Sequence, residues 1–405
     1  MNRQPSIWAF LTDSFRFAIR GELRYHLWMG TLTLFMIAGG FAYTVQLTKG
    51  LVVTGMSDHV SWGLYISNFT FLVGLAAAAV MLVMPAYVLK DVDFSKAVLV
   101  GEGVAVAALI MCITFVTVDL GGPQRLWHFV GINWPQSMLA WDVLVLNGYL
   151  ALNLLIPAYL LYSMYSGREP NKKYYMPFIF LSVFWAVSIH LVTAFLYSGL
   201  PARPFWNTAL MGPRFLASAF AAGPAFIIVV LGMVQKHTSY DIKEETLHKL
   251  AMITTVAAQI NLIMLGSELF KEFYQVTEHA NSAIYLFFGL DGKSALVPWI
   301  WTAIIVNVTA TGILMWHPFR RNLKILIPTS IALFVAIWIE KGMGLIVPGF
   351  IPSPLGEVVD YTPSWVEIFV TAGIWAMGMF VLTLLVRIGI GVETGSIRPK
   401  QAAAK

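Results

Sequence analysis

Asp119, Arg125 and His128 lie close together in VTVDLGGPQRLWHF, directly after a long and nearly uninterrupted apolar run. An imidazole gains and loses a proton near neutral pH, and a guanidinium grips a carboxylate through two parallel hydrogen bonds. A carboxyl group in an apolar pocket suits proton transfer at neutral pH. The trio therefore reads as equipment for holding and passing protons where a helix leaves a membrane. Similar residues recur along the chain. SDHVSWGLYISNF carries His59, Trp62, Tyr65 and Asn68, and SMLAWD ends in Asp142. SIHLVTAF holds His190, PARPFWNTALMGPRF brings Arg203 and Arg214, and GSELFKEFY brings Glu268. Glu268 and Glu272 are i,i+4 neighbours on one helix face. Glu102 stands apart, with no basic residue near it in sequence.

The elements that must position these groups follow from composition. The chain is 58% hydrophobic and only 12% charged, where a soluble domain carries about 25% charged residues. The bilayer is then its main solvent, and backbone groups in lipid are satisfied within a helix. A β-barrel would show short alternating segments instead of long solid runs. The fold class is an all-α polytopic membrane protein. Runs of about 20 apolar residues occur at 27–48, 64–89, 97–118, 141–163, 175–198, 209–234, 247–270, 295–316, 323–346 and 364–388. The sixth is interrupted by Pro213 and Pro224, and the ninth ends in Glu340 and Lys341. With the N-terminus inside, nineteen of the 26 Lys and Arg residues fall in inner segments, as the positive-inside rule requires. Both termini are expected in the cytoplasm and the chain in the cell inner (cytoplasmic) membrane.

Residues 1–26 spread Arg3, Arg16, Arg20 and Arg24 among Trp8, Phe10, Leu11, Phe15, Phe17 and Ile19. They read as a cytoplasmic interfacial amphipathic segment. Residues 27–390 form the ten-helix transmembrane domain, and 391–405 a cytoplasmic tail. On this orientation Asp119, Arg125, His128, Asp142, His190, Arg214 and Glu268 share the outer third. Glu102 lies about a turn and a half into the third span from the inner side. Ionisable groups at depth are costly and face a bundle interior or a cavity. The bland alternative is salt bridging at helix ends, where charge is cheap.

Several chemistries are excluded or disfavoured. The single cysteine, Cys112, rules out an internal disulfide, a Cys-ligated iron–sulfur cluster and a C-x-x-C-H haem site. A b-type haem needs paired histidines at one depth, and His26, His248 and His317 sit at inner helix ends. A transporter shows broken helices at matching places in two halves, and only the sixth span is strongly interrupted. The net charge of +5 is accounted for by membrane orientation and calls for no nucleic-acid partner.

The pieces WGLYISNFTFLVGLAAAA, VDLGGPQRLWHF with WPQSMLAWD, SIHLVTAFLYSGLPARPFWNTALMGPRFLASAFAAGPA and GSELFKEFY come in one order along the chain. Together they resemble the NrfD/PsrC family of polysulfide-reductase-type membrane subunits. The longer stretches are similar to its ten-helix branch, which includes the DsrP-type subunits of the DsrMKJOP sulfite-reduction-associated complex and the related HmcC and QrcD types. The resemblance implies two four-helix bundles plus two extra helices, and no haem or iron–sulfur cluster in this chain. It further implies a quinone substrate, menaquinone or ubiquinone, bound at the outer face. It implies an extracytoplasmic iron–sulfur protein subunit as partner, with other membrane and redox subunits and lipid around it, in dissimilatory sulfur metabolism.

A quinone head group needs donors to two carbonyls and groups that move two protons. His59, Trp62, Tyr65, Asn68, Arg125 and His128 are the candidate quinone-binding residues. Glu102, Asp119, Asp142, His190 and Glu268 are the candidate proton carriers. Arg214 and Arg203 are structural charge partners, with Arg125 and Arg214 suited to holding carboxylates in place. No metal ligands are assigned. The alternative reading is a proton-conducting, energy-coupling subunit without its own redox step, in which Glu102 and the outer carboxylates form half-channels.

Overall fold

A computed structural model describes residues 5–88, 91–128, 135–238, 240–274 and 278–399. Arg3 and residues 400–405 of the expected tail lie outside the described residues. Ten helices are long and apolar enough to cross a membrane. Among the described residues the only β feature is one isolated bridge, Leu290 to Lys293. The chain begins with α1 (Ile7–Ile19) and α2 (Leu23–Lys49). Next come α3 (Leu64–Ala77), α4 (Val92–Asp119), α5 (Met138–Tyr165) and α6 (Lys172–Ser198). The second half holds α7 (Met211–His237), α8 (Glu244–Tyr274), the short α9 (Asn281–Phe288), α10 (Val297–Met315), α11 (Leu323–Lys341) and α12 (Trp365–Glu393).

Local sequence explains the irregularities. The α3 span continues to Tyr87 through a π turn at Met84–Val88 that contains Pro85, a residue with no N–H to give. Pro213 sits in the first turn of α7, where its missing N–H has no cost. Pro224 lies inside α7 without ending it, so the sixth span is one continuous helix and not the broken one its prolines suggest. The real break follows α11. The chain turns at Gly342 and runs on as short pieces, Met343–Ile346 and Pro348–Phe350. This stretch is buried almost throughout, which is the condition for irregular backbone at membrane depth. At the start of α12, Ser364 and Glu367 form a reciprocal capping box.

The helices sort into two rings of four. In the first, α3, α4, α5 and α6 pack side by side and α6 closes on α3. In the second, α7, α8, α10 and α11 do the same, with α11 closing on α7. The seam is formed by α7 against α3 and α6, with α11 touching α3. Small residues bring the seam close: a Cβ on Gly223 would lie 2.0 Å from Ala78 Cβ, the small-residue packing that membrane helices favour. The remaining helices, α2 and α12, pair with each other, and α12 packs on α4. Gly39 and Gly373 let that pair meet; a Cβ on Gly39 would lie 2.8 Å from Gly373 Cα.

Loops at one end are stitched together by Gly55, Arg203, Ser282, Phe350 and Ile351. This is called the outer end, on the orientation expected from the basic residues. At the inner end α1 lies across α5 and α12. Tyr165 donates to Asp13 at 2.8 Å, and Arg387 stacks on Phe17 and Tyr25. Phe10, Ser14 and Ala18 form the buried face of α1, while Trp8, Leu11 and Phe15 are exposed on the other.

Candidate functional site

In the outer half of the first bundle, α5 and α6 bring Asp142 and Thr193 together. Thr193 Oγ1 donates to Asp142 Oδ1 at 2.6 Å, and both side chains are buried. Beside them the hydroxyls of Thr70 on α3 and Tyr197 on α6 share a hydrogen bond of 2.5 Å. Asp119, the last residue of α4, has a buried Oδ1 with no hydrogen-bond partner. No cation lies within ion-pair distance of Asp119 or Asp142 among the described residues. A buried acceptor without a donor is uncommon.

Other polar groups of the outer end are already hydrogen-bonded. Tyr65 donates to Gln46 Oε1 at 2.7 Å, and Gln46 Nε2 donates to Val118 O at 2.6 Å. Asn68 donates to Leu64 O at 2.7 Å and accepts from the indoles of Trp338 at 3.0 Å and Trp375 at 2.8 Å. It is a tie between α3, α11 and α12. Trp62 stacks on Trp206 at 5.8 Å and meets Tyr197 and Phe350 edge-on. Glu367 accepts from Gly55 N, Ser364 N and the Tyr361 hydroxyl. Tyr361 in turn accepts from Leu64 N at 2.7 Å. Burial first, then the Glu367 carboxylate, pushes the Tyr361 phenol well above its ordinary range, so it stays a donor.

The second bundle holds a different arrangement. Arg214 on α7 reaches Glu268 on α8 through Nη1 and Glu340 on α11 through Nη2, the latter at 2.8 Å. The second oxygen of Glu340 accepts from Asn307 Nδ2 at 3.0 Å, and Asn307 Oδ1 accepts from Thr311 at 3.4 Å. Four helices thus share one charged network. Above it is a cavity of about 30 Å³ lined by Phe205, Arg214, Glu268, Glu272, Leu286 and Glu340. That is room for about two water molecules.

The remaining candidates lie elsewhere. His190 is fully buried at the seam, with Nδ1 2.9 Å from Ala186 O and Nε2 without a partner. The charge that acts on it is that of Lys341. Lys341 donates to Phe215 O at 3.3 Å and sits 4.1 Å over the Phe215 ring. Arg203 donates to Phe350 O at 3.1 Å and holds the broken segment after α11. His59 pairs with Glu357 at 3.4 Å on the surface. Arg125 is exposed, with no carboxylate partner among the described residues, and His128 packs edge-on against exposed Trp127. Glu102 is buried in the inner half of the first bundle, ten residues after the start of α4. The expected residues form three groups, one in each bundle and one on the outer surface, with His190 at the seam and Glu102 alone.

Sequence reasoning passed over Glu340, Gln46, Glu367, Asn261 and Asn307. Glu340 was read as the end of its span, Glu367 was not singled out, and the amides were lost in apolar runs. A polar residue inside a span was the available signal.

A ten-helix membrane protein with titratable groups sealed inside two four-helix rings defines the class. The chain belongs to the NrfD family, described as polysulphide reductase, NrfD, whose model matches residues 52–351. It is 24% identical to a putative dimethyl sulfoxide reductase membrane subunit of Halobacterium salinarum, over 88% of this chain and 89% of that one. It is 23% identical to an Hdr-like menaquinol oxidoreductase integral membrane subunit of Archaeoglobus fulgidus, over 90% and 91%. A menaquinone reductase integral membrane subunit of Nitratidesulfovibrio vulgaris is 22% identical over the same shares.

Proposed function

We propose that this chain is the quinone-interacting integral membrane subunit of a respiratory-type oxidoreductase complex. It exchanges electrons between a membrane quinol, menaquinol or ubiquinol, and an extracytoplasmic iron–sulfur subunit, and it serves dissimilatory sulfur metabolism in the manner of the DsrP-type subunits. The chain sits in the cytoplasmic membrane with both termini inside. α1 lies at the cytoplasmic interface with Trp8, Leu11 and Phe15 in lipid, and residues 391–405 form a cytoplasmic tail.

The observation that carries this reading is two carboxyl groups near one end of the first bundle, buried Asp142 and half-buried Asp119 with its covered and unpartnered Oδ1, with no cation in ion-pair distance of either among the described residues. Quinol oxidation releases two protons, and Asp119 Oδ1 is a free buried acceptor for one of them. Thr193 orients the Asp142 carboxyl, and the Thr70–Tyr197 pair supplies hydroxyls that can donate to a head-group carbonyl or relay a proton. The three relatives named above are membrane subunits of reductase or quinol oxidoreductase systems by name, which supports the same reading. Purifying the complex tests it: quinone should extract with the preparation, and added quinol should reduce the iron–sulfur partner. A preparation holding this chain and its partner without quinol-dependent reduction overturns it.

A further inference from the structure

Asparagines in the spans divide by the face they take. Asn68, Asn153, Asn261 and Asn307 are buried inside the bundles, while Asn147 on α5 is exposed. It lies about 14 Å along α5 from the first residue, Met138, and so inside the hydrocarbon of a bilayer whose apolar core is about 30 Å thick. One amide proton of Asn147 goes to Val143 O at 2.8 Å on its own helix. The second amide proton and the carbonyl oxygen meet no protein group among the described residues. Acyl chains hold no water to satisfy them, and polar side chains within a span normally face protein.

The residues around Asn147 are patterned. Leu144, Asn147, Ala151, Leu154 and Ala158 are all exposed and recur at intervals of three and four along one face. That spacing lets two helices pack as a left-handed pair. Lipid imposes no such repeat, because acyl chains meet any apolar side chain alike. Ala151 and Ala158 are small residues of the kind that let membrane helices approach closely. The other face of α5 carries Asp142, Val145, Tyr149, Leu152 and Ile156 into the first bundle, so core packing does not account for the outward seam.

We infer that the outward seam of α5 packs against α5 of a second copy of this chain. Two copies enter a bilayer the same way up. A twofold axis along the membrane normal then sets the two α5 helices parallel, with Asn147 opposite Asn147 at one depth. An amide both donates and accepts, so the two side chains satisfy each other. A helix of a different protein would need its own polar group at that depth to do the same. The Asp142 carboxyls of the two copies face away from each other, one in each first bundle. The pairing is independent of the proposed redox role.

Two measurements on membranes holding the assembled complex test it. With Cys112→Ala as background, Ala151→Cys should form an oxidant-induced disulfide between two copies, seen through a tag on this chain as a band at twice its mass. The yield should exceed that of Phe184→Cys, an exposed α6 position away from the seam, by about tenfold, because only facing positions meet the geometry of the bond. Equal yields, or a band at the summed mass of this chain and another subunit, overturn the second copy as occupant. In the other arm, copies carrying two different tags should co-purify from detergent, and their failure to do so overturns the pairing. Asn147→Leu breaks only a bond within its own helix, so the chain should still fold and assemble. It should lower co-purification about fivefold at normal subunit levels, and Asn147→Gln should retain it. Undiminished co-purification of Asn147→Leu overturns the role of the amide.

Discussion

The first bundle holds buried Asp142 and half-buried Asp119 with no cation beside either among the described residues, whereas the second surrounds Arg214 with two carboxylates from different helices. These are opposite answers to the cost of charge in a low dielectric. A carboxyl group with only neutral donors near it can exist in either protonation state, so its proton is available. A guanidinium held between two carboxylates is locked in place, because removing any member leaves an uncompensated charge. The first arrangement suits chemistry that consumes or releases protons. The second suits a fixed scaffold, with free oxygens only at its edge.

Substitutions can break that contrast, and the largest effect is expected at Arg214. Arg214→Met should cost about 3–5 kcal/mol, because buried Glu340 and half-buried Glu268 lose their cation. Thermal unfolding of the purified complex reads the loss, and a shift no larger than that of a surface variant rejects the scaffold role. Asp142→Asn should behave differently. The single Thr193 hydroxyl proton can turn to Ile189 O, which already lies 2.8 Å away, so stability should fall by only about 1 kcal/mol. Quinol-dependent electron transfer should drop at least tenfold at normal subunit levels, with Asp119→Asn similar. Wild-type turnover in both would remove the acid pair from the site.

The seam is the next point of attack. Gly223→Val forces side-chain atoms into Ala78, and overpacking of this kind costs about 1–3 kcal/mol. Asn68→Leu leaves the indoles of Trp338 and Trp375 without their acceptor, for about 2 kcal/mol. Its effect should appear as lower thermal stability with little change in quinol affinity; a large affinity change with full stability would return Asn68 to the head-group contacts. The smallest effect belongs to the surface pair. His59→Ala should change stability by less than about 1 kcal/mol, read in the same unfolding assay.

How much was legible in the sequence depends on the kind of signal. All ten expected spans appear, and their ends fall close to the observed ones, because span length and composition are set by bilayer thickness. Asp119 ends its helix as its place before Gly121-Gly122-Pro123 suggests. Pro224 misled, since a long buried helix tolerates a proline when its neighbours hold it. Lys341 and Glu340 looked like a helix end at the interface. They are the buried last residues of α11, because the chain continues past Gly342 as buried short helical pieces to Phe350.

By itself the sequence determined that this protein is helical, how many times it crosses and which residue types it carries into lipid. Those properties depend on transfer free energies, which add up residue by residue along the chain. Only the tertiary structure decided which polar groups meet. A span's sequence fixes the depth of a side chain, but the rotation of its helix and the identity of its neighbours fix its partner. Asp142 met a threonine, and Arg214 met two glutamates from helices 54 and 126 residues away in sequence. That pairing results from close packing across helices that no local pattern encodes.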